Sequence, residues 1–226
     1  MCGRFTIISD PVAFQLEFDI PIEKTVEQDW KARYNVAPAQ LIPVVAGARE
    51  RSLAAMQWGL LPAWAREKRD SFRLINVRAE TIMEKVTFRK LLQKEQRCLI
   101  LADGFYEWQA SSQPKLPKTP FYFHLKDHKP FAFAGLWDYS TLPDGQIAQT
   151  CAIITCAPNA LVGRVHDRMP VILTAQTGRA WLENQPVALL LPLLSAFPES
   201  EMDAYPVGAL INSPANDSPE CILPAG

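Results

Sequence analysis

The sequence predicts one α+β domain, built mainly on antiparallel strands with a few peripheral helices. The chain has 226 residues, of which 48% are hydrophobic and 21% charged, which is typical of a globular domain that folds around its own core. Nineteen prolines punctuate short apolar runs, and this favours many short strands over long helices. The sequence contains neither an internal repeat nor a low-complexity segment.

Short apolar runs, several of them rich in β-branched or aromatic residues, predict the strands. They are Leu41–Val45, Leu53–Trp58, Cys98–Ala102, Phe121–Leu125, Phe131–Leu136, Ala148–Thr155, Val171–Leu173 and Val187–Leu190. The Pro-rich segment Ser111–Pro120 is expected to be the loop of a hairpin. Pro-Asp-Gly within Leu142–Gln146 predicts a turn.

Helix signals are fewer and lie between these runs. Apolar residues at 3- and 4-residue spacings predict a helix over Ala79–Gln96. Two shorter helices are expected at Pro11–Phe18 and Ala175–Asn184, with Asp10 and Thr174 as N-caps. We expect an irregular, Pro-rich and acidic tail from about residue 196.

Charge and hydropathy exclude several classes of protein. The net charge of −1 gives no general attraction to nucleic acid. All lysines and arginines precede residue 180, however, and six acidic residues follow Arg179, so the sequence permits a basic face and an acidic tail. No apolar run approaches the ~20 residues of a membrane helix. Residues 1–10 lack a secretory signal, so a cytoplasmic chain is expected.

The cysteines predict a reduced protein without a structural metal. There are five, in no C-x-x-C pattern, and the three histidines are scattered. Cys98 and Cys151 lie in apolar runs typical of core strands. Cys2 differs, because removal of Met1 would place a free amine and a thiol on one residue. An amine of pKa roughly 7.7–8.0 and a thiol of roughly 8.5 are both partly nucleophilic near neutral pH.

This 1,2-aminothiol has a distinctive reaction with aldehydes. The amine condenses to an imine, and the thiolate then closes a five-membered thiazolidine. The same terminus also suits an N-terminal nucleophile that cleaves amides. The alternative is that cysteine stands at position 2 by chance.

Polar and aromatic side chains near residues 35–80 form a second group of candidates. Asn35 lies in a turn that leads into a strand, where it can hydrogen-bond the backbone. Trp58 and Trp64 flank a Gly/Pro loop; Trp58 suits the core, and Trp64 suits either the core or stacking on a base. In an extended chain Asn76 and Arg78 share one face, which suits an oxyanion or a phosphate. A surface Arg–Glu pair explains that motif equally well.

Two titratable residues complete the candidates. Glu107 stands between Tyr106 and Trp108 after an apolar strand, in surroundings that raise a carboxyl pKa and make a proton donor. The alternative is a surface glutamate beside core aromatics. His166, in Val-His-Asp-Arg-Met-Pro, suits an acid–base role. His124 and His128 are interpreted as structural or solvent-facing.

Six motifs occur in order along the chain. They are Met-Cys-Gly-Arg-Phe at the start, Arg-Tyr-Asn-Val-Ala-Pro near 35, Trp-Gly-Leu-Leu-Pro-x-Trp near 60, Asn-x-Arg-x-Glu near 78, Asp-Gly-Phe-Tyr-Glu-Trp near 105 and His-Asp-Arg-Met-Pro near 168. The set resembles the SOS response-associated peptidase (SRAP) family, whose members crosslink to abasic sites in DNA. The resemblance spans residue 2 to about residue 216.

The resemblance implies a single SRAP domain with a twisted, barrel-like antiparallel sheet and a groove for single-stranded DNA. Cys2, freed of Met1, would attack the ring-opened sugar of an abasic site and form a thiazolidine crosslink that shields the lesion. Asn76 resembles the amide that holds the reacting centre, Glu107 the acid–base carboxylate and His166 a second proton-transfer group. No cofactor or metal is implied.

The resemblance also implies the DNA contacts. Arg4 and Arg78 match phosphate-binding arginines and Trp64 an aromatic near the DNA, and Asn35 is counted with them. The partner would be single-stranded DNA carrying abasic sites, bound at the nucleoid of a bacterial cell. The sequence does not fix the oligomeric state, and a monomer is the default expectation. One departure is Gly208, which stands where the family has a basic residue.

Two other functions stay open at this point. The first is an N-terminal-nucleophile peptidase, which would use the same four residues and could also remove its own Met1. The second is a non-covalent DNA-binding module in which Cys2 is incidental. An imine at the site would also permit strand cleavage by β-elimination, a lyase side activity.

Overall fold

A closed ring of five strands lies at the centre of the computed structural model, which describes residues 2–21, 30–47, 51–61, 74–111, 113, 116–141 and 145–225. The strands are β1 (Arg4–Ile7), β2 (Arg33–Val36), β3 (Leu41–Ala46), β4 (Ser52–Trp58), β5 (Asn76–Arg78), β6 (Arg97–Ala102), β7 (Gly104–Gln109), β8 (Thr119–Leu125), β9 (Phe131–Thr141), β10 (Ile147–Cys156), β11 (Met169–Pro170), β12 (Ile172–Leu173) and β13 (Met202–Pro206). The α-helices are α1 (Pro11–Phe18), α2 (Val86–Gln93), α3 (Ala160–Gly163), α4 (Ala175–Leu182) and α5 (Val187–Leu190).

The described strands form two sheets, and most of their pairs are antiparallel. The ring runs β10-β4-β3-β6-β9 and closes by pairing of β9 with β10, while β5, β11 and β12 extend this sheet. The second sheet has the order β13-β8-β7-β1-β2. Strand β10 pairs in parallel with β4 and β5. The prediction of a single α+β domain with a barrel-like, mainly antiparallel core is therefore confirmed.

Apolar side chains fill the space between the two sheets. Every residue of β6 is buried, as the apolar run Cys98–Ala102 within it predicts. Phe5 of β1 meets the rings of Trp58 and Phe133 edge-on, with centroids 5.0 and 5.6 Å away. These contacts join the short β1 to the barrel and fix the position of the residues that precede it.

Capping residues explain where two of the predicted helices begin. The Asp10 carboxylate accepts a hydrogen bond from Ala13 N at 2.8 Å, and Pro11 occupies the first turn of α1, where its missing N–H costs nothing. Thr174 and Thr177 form a capping box at the start of α4. Both predicted N-caps are confirmed.

Three predicted elements are wrong in part. The predicted helix Ala79–Gln96 is divided into a 3₁₀ turn, Ala79–Thr81, and α2, because Lys85 has an extended backbone. The apolar run Val187–Leu190 is helical rather than extended, since a run of four residues does not distinguish the two structures. The expected irregular tail instead contributes β13, which pairs with β8 along its whole length.

Among the described residues, none of the helices has both the length and the apolar character that a membrane span requires. All five cysteines are buried and none forms a disulfide.

Candidate functional site

The amino-terminal strand brings Cys2 to the junction between the two sheets. Strand β1 lies between β2 and β7, so the residue just before it is surrounded by protein. Cys2 is fully buried, and its Sγ lies 3.9 Å from the carbonyl oxygen of Arg4. Burial, and secondarily the nearby carboxyl of Glu107, raise the pKa of the Cys2 thiol. The thiol therefore needs a proton acceptor before it can act as a nucleophile.

Asn76 connects the barrel sheet to this cysteine. Buried Trp58 donates its indole N–H to the carbonyl of Ile75 at 3.0 Å, and Asn76 is aligned with Ile153 of the parallel strand β10. The amide Nδ2 of Asn76 donates to the carbonyl oxygen of Cys2 at 2.9 Å. Its Oδ1 is buried and has no hydrogen-bond partner among the described residues. Asn76 thus holds Cys2 with one end of its amide and presents an acceptor with the other.

Glu107 lies on β7, the neighbour of β1, with its side chain only 2% exposed. Burial raises the pKa of its carboxyl to about 7, although the positive charge at the amino terminus works in the opposite direction. The sequence-based prediction of a raised pKa agrees with this value. Glu107 is consequently protonated in a large fraction of molecules near neutral pH.

His166 faces Glu107 from the loop between α3 and β11. Asn159 caps α3 by accepting from Val162 N at 2.9 Å, and the carbonyl of Val162 accepts from His166 N at 2.9 Å. The imidazole Nε2 lies 3.8 Å from Glu107 Oε2. Burial, reinforced by the charge of the amino terminus and opposed by Asp167, lowers the pKa of His166. The ring is therefore mostly neutral at pH 7.

The two shifts favour the same pair of protonation states. Burial raises the pKa of the Glu107 carboxyl to about 7 and lowers the pKa of the His166 imidazole, so near neutral pH a carboxyl that often carries its proton faces a neutral ring. A carboxyl with a pKa of about 7 is suited to give up a proton and take one back at that pH. This pair stands beside the buried thiol of Cys2.

The predicted DNA contacts divide into three cases. Arg78 is exposed at the end of β5, on the same strand face as Asn76, as the alternation predicts. The Arg4 guanidinium is instead hydrogen-bonded within the protein, to Asn35 Oδ1 at 2.8 Å and to the carbonyl of Ile211 at 2.6 Å. Trp64 lies outside the described residues, so its predicted role rests on the sequence alone.

Asn35 hydrogen-bonds the backbone of the C-terminal segment, as the sequence allows. It is 1% exposed, and its Nδ2 donates to three carbonyl oxygens of the C-terminal segment, at distances of 2.7 to 3.3 Å. The carboxylate of Asp217 accepts from its backbone N–H at 3.0 Å. These contacts occupy the amide, so Asn35 anchors the C-terminal segment.

The contacts that hold the His166 loop have no local signal in the sequence. Gln109, two residues beyond Glu107, donates to the carbonyl of Arg164 at 2.8 Å. The guanidinium of Arg168 donates two hydrogen bonds, of 2.7 and 2.8 Å, to the carboxylate of Glu80. Both members of this ion pair stand in the quoted motifs, but 88 residues separate them, and only the fold shows that they meet.

Within the described ranges, no group of three or more His, Cys, Asp or Glu side chains is arranged to hold a metal ion.

Three comparisons place the chain among known proteins. The family model described as "SOS response associated peptidase (SRAP)" matches residues 1–214. The abasic site processing protein YoqW of Bacillus subtilis is 42% identical over 98% of this chain and 99% of its own length. The abasic site processing protein HMCES of Xenopus tropicalis is 32% identical over 85% of this chain and 66% of its own. A crystal structure of a Bacteroides thetaiotaomicron protein superposes with a TM-score of 0.84, at 27% identity, over 99% of this chain and all of that one.

Proposed function

The chain belongs to the SOS response-associated peptidase (SRAP) family, and from this premise we propose that it captures abasic sites in single-stranded DNA as a covalent crosslink through Cys2, once Met1 has been removed. One observation carries the proposal: Asn76 holds Cys2 beside the Glu107–His166 pair, in which Nε2 and Oε2 are 3.8 Å apart. The names of the relatives, which are abasic site processing proteins, support the same substrate.

The capture reaction is a condensation that releases one water. The α-amine of Cys2 adds to the C1 aldehyde of the ring-opened sugar and gives a carbinolamine. Loss of water forms the C=N bond of an imine. The thiol then adds to the imine carbon, its proton passes to the nitrogen, and a C–S bond closes the thiazolidine ring. Neither an oxidant nor a reductant is required.

Glu107 carries the protons of these steps, and His166 assists it. Protonated Glu107 donates to the carbinolamine oxygen as it leaves as water, which its pKa of about 7 permits at neutral pH. The carboxylate left on Glu107 then accepts the proton of the Cys2 thiol, whose pKa burial raises, so that the thiol is deprotonated only as it attacks. The ring of His166 faces this carboxylate and stabilises it with its Nε2–H. Asn76 fixes the cysteine backbone, which keeps amine and thiol within reach of one carbon atom.

The DNA is held through its backbone rather than its bases. Arg78 is exposed on the same face of β5 as Asn76 and provides a guanidinium for a phosphate next to the lesion. Arg4 adds positive charge near Cys2 while it anchors the C-terminal segment. Phosphate contacts carry no sequence information, so capture should depend little on the flanking bases. A single strand is the expected substrate, because an unpaired backbone can bend and bring the sugar to a recessed terminus.

Intact-protein mass spectrometry tests the proposal. Protein that begins at Cys2 is incubated with a single-stranded oligonucleotide that carries one abasic site. We expect a gain equal to the mass of the oligonucleotide less one water. Cys2→Ala protein and an oligonucleotide with a tetrahydrofuran analogue, which has no aldehyde, are the matched controls and should give no stable adduct. An equal adduct with Cys2→Ala would refute capture through the aminothiol.

A peptidase is the second candidate, because the same four side chains are present and the family name includes that activity. The Asn76 bond argues against self-cleavage at Met1. Its Nδ2 binds the carbonyl of Cys2, on the far side of this residue from the Met1–Cys2 peptide bond. An oxyanion donor for that cleavage would have to face the carbonyl of Met1 instead. Retention of Met1 in Cys2→Ser protein produced with an inactive host aminopeptidase, together with its loss from wild type, would favour the peptidase.

The remaining alternatives have simple tests. If the protein is a non-covalent module, Cys2→Ala should protect abasic DNA as well as wild type does. If β-elimination is a side activity, Cys2→Ser protein, which keeps the amine and cannot close a thiazolidine, should cleave the strand. Intact strands after long incubation with Cys2→Ser would count against a lyase.

A further inference from the structure

An ion pair joins the two segments that bring Asn76 and His166 to the site. Glu80 belongs to the 3₁₀ turn Ala79–Thr81, which directly follows β5 and therefore Asn76. Arg168 stands two residues after His166. Its guanidinium donates to both carboxylate oxygens of Glu80, at 2.7 and 2.8 Å, and to the carbonyl of Thr155 at 2.7 Å. A planar fork on a carboxylate fixes orientation as well as distance.

The same arginine also contacts the imidazole through its backbone. Arg168 N donates to His166 Nδ1 at 3.0 Å. A backbone N–H can only donate, so this bond favours the neutral ring with its proton on Nε2, the nitrogen that faces Glu107 3.8 Å away. The backbone at residue 168 thus sets which ring nitrogen carries the proton.

We propose that Glu80 and Arg168 are a positioning pair for the capture reaction: the fork holds the residue-168 backbone against His166, and this keeps the ring in the tautomer whose Nε2–H faces Glu107 and stabilises its carboxylate after the proton has left. The inference rests on the proposed function of the same site. It gives Glu80 a role in the reaction although the glutamate touches none of the reacting groups.

Several charged groups surround His166 and compete for its ring. Glu107 faces Nε2 from β7, and the exposed carboxylate of Asp167 lies 3.0 Å from Nδ1. The amino terminus and Lys118 place positive charge nearby. If the Arg168 N–H moves away, Asp167 becomes the partner of Nδ1 and favours a ring protonated there. Loss of the ion pair should therefore raise the pKa of His166 and increase the share of neutral rings protonated on Nδ1, which have no Nε2–H to face Glu107.

Glu80→Gln is the most informative variant. It removes a negative charge near the DNA, so a purely electrostatic effect would strengthen binding. We expect capture to slow instead, on the order of 10- to 100-fold, because the ring is misplaced. Affinity for a strand with the tetrahydrofuran analogue should not fall. Glu84→Gln, which removes an exposed carboxylate four residues away, is the matched control and should capture at the wild-type rate.

Two further variants separate orientation from charge and from folding. Arg168→Lys keeps the positive charge and loses the fork, so it should slow capture nearly as much as Glu80→Gln. Glu80→Asp keeps the carboxylate on a shorter side chain and should capture at an intermediate rate. This variant tests the positioning role even if Glu80→Gln does not fold. Wild-type capture in either variant would overturn the inference. A fall of analogue affinity in parallel with the rate would also overturn it, because the pair would then act through DNA.

Nitrogen-15 spectra of the His166 ring provide a readout that is independent of capture. In wild-type protein near pH 7 we expect the neutral ring with the proton on Nε2, and in Glu80→Gln a higher pKa and a share of the other tautomer. The same tautomer and pKa in both proteins would refute the positioning role. If wild type forms no adduct, the proposed function is refuted. If wild type forms the adduct and Glu80→Gln captures at the same rate, only the positioning role of the pair is refuted.

Discussion

Replacing Glu107 with glutamine should make the folded protein progressively more stable relative to wild type as the pH rises from 5 to 8, even though it removes the proposed proton donor. Burial raises the pKa of this carboxyl from its usual 4.5 to about 7. The folded state therefore holds a proton that the unfolded chain releases. Its contribution to stability is fully present below pH 4.5, declines through the window from 4.5 to 7 and is lost above it.

The size of the effect follows from the two pKa values. At 1.36 kcal/mol for each pH unit between them, ionisation of Glu107 costs the folded state at most about 3 kcal/mol. Most of this, about 2 to 3 kcal/mol, develops between pH 5 and pH 8. Glutamine is neutral at every pH, so the free energy of unfolding of the variant does not fall in this way. Burying the glutamine amide changes the free energy of unfolding of the variant by the same amount at every pH. It therefore does not alter how the difference from wild type depends on pH.

Urea unfolding of wild type and Glu107→Gln at pH 5, 6, 7 and 8 measures the difference directly. Groups other than Glu107 titrate in both proteins, and their contributions largely cancel in the difference. Glu199→Gln, which removes an exposed carboxylate, should show a difference from wild type that stays flat with pH. A flat difference for Glu107→Gln as well would mean that Glu107 is not desolvated, and the assignment of Glu107 as the proton donor would lose its physical basis.

Four other outcomes are expected. The rate of capture by wild type should fall above about pH 7 as Glu107 loses its proton, and stopped reactions from pH 5 to 9 should show no such falling limb for Glu107→Gln. Asn76→Ala removes the donor to the Cys2 carbonyl, so its single-turnover capture should slow on the order of 100-fold with little change in analogue affinity; an unchanged rate contradicts this. Arg97 is 2% exposed and donates to main-chain carbonyls at the ends of two helices, so Arg97→Met should lower the free energy of unfolding by about 3 kcal/mol, and a loss below about 1 kcal/mol would contradict it. Asn35→Ala should cost about 2 kcal/mol of stability and leave DNA affinity unchanged; a fall in affinity without destabilisation would restore Asn35 as a DNA contact.

Local sequence pattern predicted the elements whose signals lie within a few residues. Helix α1 begins after Asp10 and ends at Phe18, as capping and Pro11 predict, since both signals act on the nearest turn. Long apolar strands such as β6 were also predicted, because burial on both faces requires a continuous apolar run. Short strands such as β13 were missed: Met202–Pro206 has no alternation of its own and forms only because β8 offers a free edge.

The properties of the site residues were likewise predicted where they depend on near neighbours in the sequence, and missed where they depend on distant ones. The raised pKa of Glu107 was predicted from its aromatic neighbours, and the shared face of Asn76 and Arg78 from strand alternation. The sequence did not predict that Arg4 and Asn35 anchor the C-terminal segment, because their partners lie 207 and 178 residues away. Nothing in a local pattern distinguishes an arginine that binds a phosphate from one that binds carbonyl oxygens, since both present the same donors.

Chemical analysis of the adduct tests covalent capture at Cys2 most directly. Crosslinked protein is denatured, treated with iodoacetamide and with borohydride, and digested, and the N-terminal peptide is examined by tandem mass spectrometry. A thiazolidine engages both the amine and the thiol, so we predict a sugar remnant on Cys2, no alkylation of its sulfur and no gain of two hydrogens. An alkylated Cys2 in the adduct, or a borohydride-reduced link at its amine, would show an open imine and contradict the account. A remnant on any other residue would contradict it as well.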